Sequence, residues 1–188
     1  ETTWPISVLA RFLAPQCGTL LADTLAQQLI NRFGTLARAV AAPPSAIEQV
    51  CGKASGAAEA ILQARELMLA ASAEQVVRSE VRVSDPQLHA YLRLRMMRLA
   101  HEELFVVFLD ADRKFIHART FCTHKTNNVG ARTDKIYREA VELGAYALLL
   151  AHNHPSGDHT PSMEDLRAND RLRQIGAALD ITLVDHLI

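Results

Sequence analysis

Apolar positions recur with two different periods along the chain. Leu21, Leu25, Leu29 and Phe33 step by four down one face, which predicts a helix over residues 23–33 ending near Gly34. Pro43-Pro44-Ser45 opens another helix, with Ser45 or Pro44 at its start. Residues 57–71 set Ile61, Leu62 and Leu69 among many alanines and read as a further helix. Short helices, short links and no strand pattern predict an α-helical bundle from about Ile6 to Ala73. The polar residues 72–82 mark the expected boundary. Ser84-Asp85-Pro86 then opens a helix running to about Leu99.

Beyond residue 100 the period changes. Residues 104–109 (LFVVFL) form a continuous apolar, β-branched and aromatic run, closed by Asp110-Ala111-Asp112. Residues 115–122 alternate well enough to pair with it as a hairpin. A helix is expected over 134–143, ended by Gly144, then a fully buried strand over 145–151 (AYALLLA). Residues 155–161 are rich in turn formers and read as loop. A helix over 162–179 and a strand over 181–188 complete the pattern. Alternating strands and helices predict an α/β (α+β) domain with a mixed central sheet flanked by helices. The expected organisation is a small all-α domain over 1–75, a linker and helix over 76–99, and the α/β domain over 100–188. The chain starts at Glu1 rather than Met and stops in apolar Leu187-Ile188, so native residues are expected beyond both ends.

Composition narrows the functional classes. The 188 residues are 49% hydrophobic and 22% charged, a globular balance. Twenty Lys+Arg against 21 Asp+Glu leave a net charge of -1, so no global basic excess advertises nucleic-acid binding. The longest apolar run, 145–151, falls far short of the roughly 20 residues of a membrane span. No signal-peptide pattern is present. Three widely spaced cysteines, Cys17, Cys51 and Cys122, with no CxxC, fit a reducing, cytoplasmic compartment and argue against a disulfide frame or a thiolate zinc site.

Eight histidines remain, and His152, His154 and His159 crowd into one segment, LAHNHPSGDHTPSMED. His152 and His154 are two apart at the end of a buried strand, so they share a face. Asp165 sits one turn into the following helix, where the loop can fold it over the histidines. Two nitrogens and one carboxylate oxygen make a three-ligand zinc site with an open fourth position, the pattern of a catalytic site. Water in that position, brought to a pKa of roughly 7, needs a proton acceptor. Glu102 and Glu103, at the head of the first strand, are the acidic candidates. The Ser162 hydroxyl is placed either to assist an oxyanion or to cap the helix, with Asp165 three residues on. Asn153 reads as a structural residue bonding loop backbone, and His159 as solvated.

The joint string HxHPSGxxxPSxxD resembles the JAMM (MPN+) metalloprotease motif. His152-Asn153-His154-Pro155-Ser156-Gly157 is similar to the RadC branch of that family, whose members are historically called DNA repair proteins. The resemblance extends to Glu103-Leu104-Phe105, Phe108-Leu109-Asp110 and Asp185-His186-Leu187-Ile188, and covers about residues 100–188. It implies an MPN/JAB-like fold, Zn2+ held by His152, His154 and Asp165, Glu103 as the catalytic glutamate, and Ser162 as the serine assisting the oxyanion. Asp185-His186 matches a RadC signature to which the residues themselves assign no role. The implied activity is metal-dependent cleavage of a peptide or isopeptide bond in a peptide or protein substrate. The alternative is a non-catalytic zinc-containing module associated with DNA repair or protein interaction.

Two departures from the RadC pattern shape those expectations. RadC proteins carry a helix-hairpin-helix whose Gly-hydrophobic-Gly turn binds DNA phosphates. Here Gly52 and Gly56 are four apart, and Lys53 is the only nearby cation before Arg65. This half is therefore expected to pack or to contact protein rather than bind DNA strongly. Arg132-Thr133-Asp134-Lys135 stands where RadC proteins usually show Pro-Arg and an acid, so the polar loop 123–133 is expected to flank the site with an altered substrate preference.

Overall fold

The computed structural model describes residues 3–52, 56–96, 101–122 and 129–188. The chain divides into two compact units, Glu1–Ala71 and Ser72–Ile188.

The first unit is all helical. It contains α1 (Thr3–Cys17), α2 (Thr19–Phe33), α3 (Leu36–Val40), α4 (Pro44–Cys51) and most of α5 (Ala57–Arg78). The four-residue step read from the sequence is buried in part: Leu25 and Leu29 lie in a core with Leu9, Leu13, Ile47 and Ile61, Phe33 packs at its edge, and Leu21 is exposed. Gly34 ends α2 at a φ of 83° and returns its N–H to the Ile30 carbonyl, a conformation that favours glycine. Thr35 then caps α3 by accepting from the Arg38 N–H. Lys53 lies outside the described residues. Gly52 and Gly56 both adopt positive φ.

Helix α5 runs through residues 72–78, where polarity predicts a boundary. Ala, Glu and Gln are strong helix formers, and Glu74 pairs with Arg78 one turn on. The segment assigned to linker and helix, 76–99, contributes core. Val76, Val81, Leu88 and Leu92 are buried with Phe105, Val107 and Leu109. Their apolar side chains are spaced too sparsely for a periodic signal, and the sheet supplies the partner surface.

The second unit holds a mixed four-stranded sheet in the order β2-β1-β3-β4. Strand β1 (Glu103–Leu109) pairs antiparallel with β2 (Phe115–Cys122) and with β3 (Ala147–His152), and β3 pairs parallel with β4 (Thr182–Leu187). The hairpin turns at Asp110, whose carboxylate accepts from the Asp112 and Lys114 N–H groups. The parallel pair needs a crossover, which α8 (Met163–Ala178) provides. One face of the sheet packs against α8 and α7 (Val129–Glu142) through Ile136, Tyr137, Ala140 and Leu172. The other lies against α6 (Pro86–Met96) and the end of α5. Helix α7 begins at Val129, so the expected loop 123–133 is part helix, and residues 123–128 lie outside the described residues.

Burial on both faces explains the unbroken β3 run. Leu148 and Leu150 point to the α7–α8 side and Leu149 to the α6 side, all 1% exposed or less. Each such leucine contributes about 1.5–3 kcal/mol relative to an exposed one. The strand is thus a rigid rail that ends at His152.

Candidate metal centre

His152 is the last residue of β3 and is 3% exposed. It follows Leu148 and Leu150 on the α7–α8 face, opposite Leu104 of β1. His154-Pro155-Ser156-Gly157 forms a turn closed by the Gly157 N–H on the His154 carbonyl at 2.9 Å, with Pro and Gly at the positions such turns favour. Gly157 has a φ of 79°. The turn brings the Asp158 carbonyl to 2.6 Å from His154 Nδ1. Helix α8 opens on a capping box. Ser162 Oγ accepts from the Asp165 N–H, and the Asp165 carboxylate accepts from the Ser162 N–H at 2.8 Å. That box leaves Oδ1 toward His152 while Oδ2, its acceptor, lies near His154.

The three side chains converge. His152 Nε2 and His154 Nε2 are 2.8 Å apart, and the Asp165 oxygens lie 3.3 Å and 3.5 Å from them respectively. They are the one such group among the described residues whose ligand atoms all fall within 4.8 Å of one another. Burial alone would raise the Asp165 pKa. The two hydrogen bonds from Ser162 and the neighbouring His152 and His154 outweigh it and hold the carboxyl below its ordinary value.

For neutral rings, the hydrogen-bond partners select the tautomers. The Asp158 carbonyl can only accept, so His154 Nδ1 carries the proton and Nε2 presents a lone pair. Asn169 Oδ1 accepts from His186 Nδ1 at 2.6 Å, leaving His186 Nε2 as an acceptor. That nitrogen sits 2.8 Å from His152 Nδ1, and a neutral His152 that donates there turns the lone pair of its Nε2 toward His154 and Asp165. Burial, then repulsion from His152, pulls the His186 imidazole from 6.5 to about 4, in keeping with a neutral ring. Two lone pairs and a carboxylate facing one another repel unless a cation lies between them. Ligand atoms about 2.0–2.1 Å from a tetrahedral zinc lie about 3.3 Å apart, and the observed spacings bracket that value. The residues therefore fit a divalent ion of the zinc type.

The remaining sequence candidates fall differently. Strand alternation carries Glu103 to the side of Phe105 and Val107, the α6 face, away from His152. Its carboxylate lies 3.4 Å from His101 Nε2. Glu102 immediately precedes β1; the same alternation extended back by one residue would carry it to the side of Leu104, the residue paired with His152. The resemblance counted back from Phe105 and so selected Glu103; the pleat favours its neighbour. Ser162 Oγ donates to Asp165 Oδ2 at 2.6 Å, so its single proton holds the ligand carboxylate. Asn153 bonds backbone, as its loop position predicts. Its Oδ1 accepts from the Glu103 N–H at 2.9 Å and its Nδ2 donates to the His101 carbonyl at 3.0 Å.

Two residues that the sequence left without a role join the site: His186 and Asn169. Asn169 had a usable signal. It is four residues after Asp165 and shares its helix face. A cavity of about 680 Å³ opens beside the histidines, lined also by His89, Leu92, Arg93 and Met96 of α6 and by His159.

Comparison with known proteins shows the family. The family model described as the RadC-like JAB domain matches residues 83–188, more than half of the chain. The chain belongs to the RadC family. A UPF0758 protein of Carboxydothermus hydrogenoformans is 31% identical over 189 residues, spanning 100% of this chain and 83% of that protein. A UPF0758 protein of Rhodobacter capsulatus is 34% identical over 170 residues, spanning 87% and 77%. The mixed sheet with helices on both faces is consistent with a JAB-like domain, preceded by a helical unit. Among the described residues, no helix is long and apolar enough to cross a membrane.

Proposed function

We propose that this RadC protein is a zinc-dependent hydrolase of the JAMM type that cleaves a peptide or isopeptide bond. The observation that supports it is the convergence of the two imidazole Nε2 atoms and the Asp165 carboxylate at the open end of a buried strand. When bound there, zinc supplies Lewis acidity, polarising a carbonyl and lowering the pKa of water. His152, His154 and Asp165 hold it. Glu102, which the strand alternation extended back from β1 assigns to the side of His152, takes the proton of the attacking water as general base and passes it to the leaving amine. This role replaces the one expected of Glu103. Ser162 keeps Asp165 in place through the cap, and assists an oxyanion only when its hydroxyl turns away from Oδ2. The adjoining cavity accepts the substrate chain, with Leu92 and Met96 giving apolar contact and Arg93 a positive charge. The substrate is a peptide or protein. Nucleic acid is not favoured, because the net charge is -1 and the Gly-hydrophobic-Gly turn is broken.

The test uses zinc-loaded protein and a proteome-derived peptide library, with new amino termini counted by mass spectrometry. Wild type and Glu103→Gln should both generate them. Glu102→Gln should lose about 10²–10⁴-fold in rate while retaining zinc. Full cleavage by Glu102→Gln, or none by wild type with zinc bound, contradicts the proposal.

A further inference from the structure

The DHLI segment at the end of β4 has no role in the chemistry described above, yet its histidine touches a metal-ligand candidate. A regular strand sends residues three apart to opposite faces. In β4, Val184 and Leu187 both pack on the α6 side of the sheet. The register explains this. Leu148 pairs with Leu183, but Leu149 pairs with Asp185, so Val184 is an extra residue and the strand bulges there. Without the bulge His186 would face α6. With it, His186 turns to the α7–α8 side, opposite Leu150 and beside His152.

Two further bonds fix it. Its backbone N–H donates to Asp185 Oδ1 at 2.8 Å, and its Nδ1 donates to Asn169 Oδ1 at 2.6 Å. Asn169 comes from α8, the helix that also delivers Asp165. His186 Nε2 meets His152 at Nδ1, on the far side of the ring from Nε2, so it is no ligand itself.

We propose that His186, re-aimed by the β4 bulge and clamped by Asn169, is a positioning residue that holds His152 with its proton on Nδ1 and its Nε2 turned toward His154 and Asp165. The proposal rests on the reading of His152 as a metal ligand. The relay runs from Asn169 through His186 to His152 and fixes both tautomer and ring orientation. It gives His152 the same service that the Asp158 carbonyl gives His154.

The experiment compares wild type with His186→Ala, His186→Gln, Asn169→Ala and Asn169→Asp. Folding is checked by circular dichroism and thermal melting. Zinc affinity is measured by chelator competition, and the His152 tautomer by long-range ¹⁵N NMR on zinc-free protein. His186→Ala and Asn169→Ala should weaken zinc about 10–100-fold, typical for loss of an outer-shell partner, while still saturating with one ion. His152 should change from a single Nδ1-protonated form to a mixture. His186→Gln and Asn169→Asp, which keep an acceptor for each donor, should restore most of both properties. Unchanged affinity and tautomer in folded His186→Ala overturns the proposal. So does a loss of zinc as complete as that of His154→Ala, which would make His186 a ligand. If His186→Ala does not fold, the two Asn169 variants decide by the same readouts. Failure of wild type to bind zinc contradicts the ligand reading alone, since the tautomer measurement judges the relay independently.

Discussion

Replacing Asn153 by alanine should loosen the head of β1 more than the rest of the sheet. Asn153 stands just past the end of β3, where the β1–β3 backbone ladder would continue. Its side chain supplies that rung instead, accepting from the Glu103 N–H and donating to the His101 carbonyl. Both bonds join segments about fifty residues apart and bracket Glu102 from either side. A net hydrogen bond contributes about 0.5–1.5 kcal/mol, and water can reach this partly exposed edge, so the pair should contribute about 1–2 kcal/mol. The direct assay is native-state hydrogen exchange at the Glu103 amide. Its protection should fall about 5–30-fold in Asn153→Ala, while amides at the centre of β1 such as Val106 keep theirs. Asn153→Asp retains the acceptor and should preserve most of the Glu103 protection. Unaltered exchange at Glu103 in Asn153→Ala would refute the idea that this side chain completes the ladder.

Gly176→Ala should destabilise the second unit by about 2 kcal/mol or more in urea unfolding. A Cβ there would lie 2.3 Å from the Ile181 carbonyl oxygen and 2.7 Å from the Tyr137 hydroxyl, and the Tyr137 hydroxyl is itself tied to the Leu172 carbonyl. A neutral result would show that α8 and the start of β4 can separate freely. In the helical unit, burial, then the nearby Cys17, pushes the Cys51 thiol from 9.0 up to about 11. Between those values the unfolded chain loses a proton that the folded chain keeps, so stability should fall as pH rises, by about 2 kcal/mol at pH 11. Cys51→Ala should flatten that alkaline limb relative to wild type. Parallel curves would disprove the assignment.

Much of the fold was legible because several elements have a single dominant period. The four-step stripe of α2 and the solid apolar runs of β1 and β3 gave the helical unit and the mixed sheet. Residues 72–82 were harder. Their polarity masks a helix end and a few buried valines whose partners are strands far along the chain. At the site, HxHPSG was readable because each letter has a local job: strand alternation aligns the histidines and the Pro–Gly turn returns a carbonyl to His154. The Ser162–Asp165 capping box was equally local. Glu102 and Glu103 are indistinguishable by residue type, and only the strand register, in which adjacent residues face opposite sides, separates them. The use of His186 was hidden because one extra residue in β4 inverts its face, and no sequence period records a bulge.

Zinc stoichiometry tests the central claim most directly. Metal-free protein is incubated with excess zinc, desalted and measured by elemental analysis beside His154→Ala. The account predicts about one zinc per chain in wild type and none retained by the folded variant. Wild type that holds no zinc, or a His154→Ala variant that holds it equally well, would contradict the assignment of His152, His154 and Asp165 as a metal centre.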